Sequence, residues 1–77
     1  MSDKSILAHI GELMDEEHRL QNDASPSAGA HARIRHLEEQ LDQCWDLLRQ
    51  RRARREFGED PDAAQVRDVK TVEGYIG

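Results

Sequence analysis

Seventy-seven residues, 36% hydrophobic and only 4% aromatic, leave room for one small domain with a thin interior, near the lower limit for a core that stands alone. Charged residues make up 35% of the chain and the formal net charge is −5, which argues against a general nucleic-acid binder with its usual basic excess. The single cysteine, Cys44, excludes an internal disulfide, and MSDKSILAHIGELM reads as neither a signal peptide nor a membrane span, so a cytoplasmic protein is expected.

The first predicted element is a helix over 4–21, with Ser2 or Asp3 as its N-cap. Ile6, Ile10, Leu13 and Leu20 form one stripe, which Leu7 and Met14 widen. Glu17 occupies the seam position between Leu13 and Leu20. Gly11 costs a helix about 1 kcal/mol relative to alanine, and close approach of another helix is the expected reason. The stretch NDASPSAG then breaks the pattern, so a loop is expected over 22–26.

A second, longer helix is predicted over 27–57, and its stretch 30–57 alone is roughly 40 Å long at 1.5 Å per residue. Ala30, Ile34, Leu37, Leu41, Cys44 and Leu48 alternate spacings of four and three, which is a heptad seam. Gly58 supplies its stop. A connection this short joins antiparallel neighbours, so residues 1–57 are read as a coiled-coil-like, all-α hairpin. Antiparallel pairing sets Asp15, Glu16 and Glu17 beside Arg33, Arg35 and His36, giving Glu17 a basic neighbour. Helix 1 ends early in this register, and the arginine end of helix 2 should project past it.

Residues 58–77 are read as a partly ordered C-terminal tail, with a helical turn near 61–67 and an extended remainder. Val66, Val69, Val72, Tyr75 and Ile76 are too apolar to stay in water, so the tail should lie over a helix of this copy or another.

The segments EEHRL at 16–20, LEEQLDQCWDLLRQRRARREFGEDPD at 37–62 and VEGY at 72–75 resemble a small actinobacterial family, domain of unknown function 2630. The likeness covers nearly the whole chain, and the central block with its one tryptophan carries most of it. It implies a short, soluble, mostly helical bacterial protein, with no established activity, cofactor or partner.

The chain's densest charge feature is Arg49, Arg51, Arg52, Arg54 and Arg55, a run without an acid. Guanidinium groups suit phosphates or acidic protein surfaces. The plainer reading is that they neutralise Glu56, Glu59, Asp60 and Asp62 of the tail, or the first helix of a second copy. No aromatic interleaves the arginines, which weakens a nucleic-acid role. Asp15 with His18, and His36 with Glu39, stand at ligand-like spacing, but a solvated charged face accounts for them better than a metal. Neither a phosphate loop nor a nucleophile with its base is present, and Cys44 reads as a small core residue. No catalytic residue, metal or cofactor is therefore assigned.

Two functions of different class remain. One is a non-catalytic, self-associating interaction module, a homodimer whose interface draws on Trp45, Arg49, Arg51, Arg52, Arg55, Phe57 and Tyr75, with an acidic protein as a further partner. Trp45 flanks the seam, and interfaces favour tryptophan. The alternative is a nucleic-acid accessory factor that sets the Arg49–Arg55 cluster on phosphates.

Overall fold

The computed structural model describes residues 2–22 and 28–76, with the side chains of 28, 75 and 76 outside the description. The described residues hold three helices, α1 (Asp3–Gln21), α2 (Ala28–Glu56) and α3 (Val69–Ile76), and a 3₁₀ turn at Pro61–Ala63 with extended backbone leads from α2 to α3. The expected loop, with its Ser25-Pro26 step, falls largely on residues outside the description.

Each helix boundary has a local cause. Ser2 caps α1 reciprocally: its hydroxyl accepts from the Ser5 amide at 3.1 Å, and the Ser5 hydroxyl accepts from the Ser2 amide at 3.1 Å. Asn22 closes the same helix, its amide donating to the His18 carbonyl at 3.1 Å. At the far end of α2, Gly58 takes a φ of +73°, open to glycine at little cost. The Glu59 amide then reaches back to the Arg54 carbonyl at 2.7 Å and the Gly58 amide to that of Arg55 at 3.2 Å, a Schellman closure. Asp68 caps α3 by accepting from the Thr71 amide at 2.7 Å.

α1 and α2 form an antiparallel hairpin, and the segment after Gly58 turns back along α2. Ile6 and Ile10 of α1, Leu47 of α2 and Ala64 of the returning segment are buried together, with Leu41, Cys44 and Leu48 packed against them. Leu13 and Ala30 are buried as well, and Leu37 and Val72 have no exposure at all. Full burial of such side chains is worth about 1.5–3 kcal/mol each. Leu20 and Ile34, the remaining residues of the expected seam, are half-buried.

The expectation of an extended terminus is corrected by α3, which has Val72 at its buried point. Mixed three- and four-residue spacings of β-branched residues hid this helix; a cap at Asp68 and a docking site on α2 outweigh their low propensity. Gly11 also differs from expectation. It is exposed, and a Cβ built there meets nothing within 4 Å among the described residues, so none of the described helices approaches it. The molecule measures 50 × 25 × 14 Å, about one helix thick in its shortest direction.

Candidate functional site

The arginine end of α2 is mostly committed to the chain itself. Arg51 is buried, at 5% exposure. Its Nε donates to Asp3 Oδ1 at 2.6 Å, and its Nη1 donates to Asp62 Oδ1 at 2.9 Å and to the Pro61 carbonyl at 3.3 Å. One guanidinium thus ties the start of α1 and the 3₁₀ turn to α2. Arg55 adds a second grip on Asp3, donating from Nη1 at 3.2 Å and from Nη2 at 2.5 Å. These donors, Arg55 foremost, hold the Asp3 carboxyl at about 2, and Arg51 lowers that of Asp62.

Arg51 and Arg55 reach back to the first residue of α1, so these two do not project free beyond it. Arg51, expected at an interface, is an interior residue. Arg52 pairs with Glu56 at 3.2 Å on the same exposed helix face. Arg49 is exposed, and neither it nor Arg54 has an ion-pair partner among the described residues.

The second polar cluster was not apparent from sequence. Asp46 is 1% exposed and accepts from Arg67 through both oxygens, the Arg67 Nε bond measuring 2.9 Å. Gln50 donates to the same carboxylate at 3.0 Å. The Arg67 guanidinium keeps the Asp46 carboxyl below its usual range, against the opposing effect of burial. Two amides complete the clasp: Gln50 donates to the Gln65 carbonyl at 2.9 Å and Gln43 to the Arg67 carbonyl at 3.2 Å. The available signals were a carboxylate wedged between Trp45 and Leu47 and an arginine in an acidic tail.

Glu16, rather than Glu17, meets Arg33 across the hairpin, and that bond lowers the Glu16 carboxyl. Glu17 accepts from Gln21 at 3.3 Å through Oε1, while its Oε2 is buried without a hydrogen bond. Among the described residues no group of three or more His, Cys, Asp or Glu side chains could hold a metal ion. Burial raises the Cys44 thiol, which keeps it protonated and weakly nucleophilic.

Large apolar side chains remain in water on the hairpin. Leu7 is 49%, Met14 54% and Trp45 43% exposed. Successive residues of a helix differ by about 100°, so Trp45 leaves α2 on the side opposite Gln43, whose amide holds the tail. Leu7 and Met14, two turns apart, share one flank of α1. The Glu16–Arg33 pair occupies the other flank, so the antiparallel hairpin puts Leu7 and Met14 on the same broad face as Trp45. Phe57, at 80% exposure, stands alone at the end of α2. Tyr75, the last residue proposed for an interface, has its side chain outside the described part. Between α2 and α3, Arg35, Glu38, Glu39, Asp42 and Glu73 line an open groove of about 350 Å³, whose Glu38 and Asp42 edge lies within about 60° of Trp45 around α2.

The sequence matches a known family. The profile of a protein family of unknown function, DUF2630, covers residues 2–77. The chain belongs to that family. Similar relatives are uncharacterized proteins of Mycobacterium bovis and of two strains of Mycobacterium tuberculosis. Each is 45% identical over 80 aligned positions, which cover 99% of this chain and 92% of the relative. No solved structure matches the chain. Among the described residues no helix is long and apolar enough to cross a membrane.

Proposed function

We propose that this DUF2630 chain is a non-catalytic, self-associating helical interaction module of the cytoplasm. The observation that carries the reading is the face bearing Leu7, Met14 and Trp45, three large apolar side chains left about half exposed on the side of the hairpin away from the tail. Apolar residues gathered on one face of so small a protein are suited to a protein partner. A tryptophan among them is the side chain most often found at the energetic centre of an interface.

Phosphate binding by the arginine cluster has less behind it. Arg51, Arg52 and Arg55 engage Asp3, Asp62 and Glu56 of the same chain, which leaves Arg49 and Arg54 to face a polyanion. An acidic protein partner would meet the same shortage of free guanidinium groups.

Sedimentation equilibrium of the purified protein at low and high salt, alone and with bulk RNA, tests this reading. A dimer that persists in high salt and ignores RNA is expected. A monomer that binds RNA only at low salt would replace the reading with the nucleic-acid one.

A further inference from the structure

Along α2, the residues on the Trp45 side form an ordered charge pattern. Glu38 lies two turns before Trp45 and Asp42 one turn before; Arg49 lies one turn after and Arg52 two turns after. The acids precede the tryptophan by seven and three residues and the bases follow it by four and seven, Arg52 being shared with Glu56 of its own helix. Such a stripe is complementary to itself when turned end for end. A two-fold axis through Trp45 sets Arg49 of one copy against Asp42 of the other, and Arg52 against Glu38. Glu38, Asp42 and Arg49 have no ion pair of their own among the described residues.

We infer that the occupant of this face is a second copy of the chain, docked antiparallel along α2 about a two-fold axis at Trp45. The inference rests on the self-association reading and assigns it a face, a direction and a register. Leu7 and Met14 of α1 extend the apolar centre, and Gly11 between them leaves a surface without a side chain where the opposing copy can come close. A broad face with sides of 50 and 25 Å can supply the roughly 800 Å² per partner that a stable dimer buries. Its contact is isologous, so it closes at two copies and does not run on into fibres.

Charge exchange tests the register. Arg49→Glu alone sets like charges against each other twice in the dimer, and so does Asp42→Arg alone. Mixed together, the two variants form a heterodimer in which both cross-pairs are again opposite. Sedimentation equilibrium should show each variant associating roughly tenfold or more weaker than the wild type, and the mixture recovering wild-type affinity. Helicity by circular dichroism verifies that both variants are folded. The wild type gives an independent readout: Trp45 is the only tryptophan, so its emission should shift to the blue as the protein is concentrated through its dimerisation range. Two variants that dimerise as tightly as the wild type, or an emission maximum that does not move on dimerisation, would overturn this interface and leave self-association through another face. A wild type that stays monomeric overturns both.

Discussion

Arg51 and Asp3 are separated by 48 positions in the chain and meet at 2.6 Å, with Asp62 on the other side of the same guanidinium. Three segments distant in sequence thus depend on one buried cation. Replacing each arginine of the cluster by glutamine should therefore give unequal results. Arg51→Gln should cause the largest loss of melting temperature and the largest loss of amide protection in α3, because Asp3 and Asp62 lose a shared donor. In a dilute, monomeric sample Arg49→Gln should stay within about 0.5 kcal/mol of the wild type, as exposed substitutions do. Arg54→Gln, at a half-buried position without an ion pair among the described residues, should cost less than Arg51→Gln. Thermal unfolding followed by circular dichroism ranks the series. Equal effects at all five positions would contradict the buried role of Arg51.

The paired carboxylates set the response to acid. Asp3 falls from 3.8 to about 2 in the folded chain, and Glu16, Asp46 and Asp62 are lowered too. The folded form holds these protons less tightly than the unfolded form, so the added stability is complete above the ordinary carboxylate range. It is lost as pH falls through that range toward the folded values. Melting temperature should be flat from neutrality to about pH 5 and drop steeply between about pH 4 and 2. Asp3→Asn should lower the neutral plateau and flatten part of the acid limb.

Gly11 offers a simple gain in the isolated chain. It sits inside α1, and a methyl group there meets nothing within 4 Å. Gly11→Ala should stabilise the monomer by about 0.5–1 kcal/mol through helix propensity and a less flexible unfolded chain. In a chain of this size that corresponds to a rise of about 2–8 °C in melting temperature. An unchanged or lower value in a dilute sample would show that the site is more crowded than this.

Leu37 and Val72 have no solvent exposure, although one belongs to the hairpin and the other to α3. Leu37→Ala should cost about 2–5 kcal/mol, a large share of the stability of so small a protein. Val72→Ala should cost less in total, and its effect should concentrate in α3. Hydrogen exchange would then show faster amides over 69–72 than in α1. A uniform change across the chain would mean that α3 unfolds only with everything else.

The Cys44 thiol should alkylate slowly at neutral pH, since burial raises its pKa and packing against the Ile6–Ile10–Leu47–Ala64 cluster shields it. Iodoacetamide labelling should accelerate severalfold in urea. Equal rates in the folded and unfolded protein would show that the cluster around Cys44 opens freely.

Much of the hairpin was legible in the sequence because period and punctuation agree there. Ile6, Ile10 and Leu13 repeat at helical spacing, Asn22 and Gly58 stand at the ends, and Glu16 does lie across from Arg33. The seam was read as one stripe, however, and α2 is buried on two sides. Leu47 and Asp46 lie off the heptad, and they became interior only because residues 61–76 return along that flank. Helical periodicity records which residues share a face and is silent about a neighbour held by long-range ion pairs. The candidate surface was legible in part. Trp45 and Arg49 are exposed where an interface was expected, whereas Arg51 is drawn inside by acids at positions 3 and 62, a pairing that spacing alone does not specify.

The amides of Gln43 and Gln50 grip the returning segment by the carbonyl oxygens of Arg67 and Gln65. Every residue type carries a carbonyl, so these two bonds survive any exchange of side chain on the segment they hold. Gln65 and Val66 turn their side chains to water and are thus free to drift over generations without loosening the clasp. The burden of memory falls on α2 instead, where a single change at Gln43 or Gln50 removes a donor that nothing on the tail can replace.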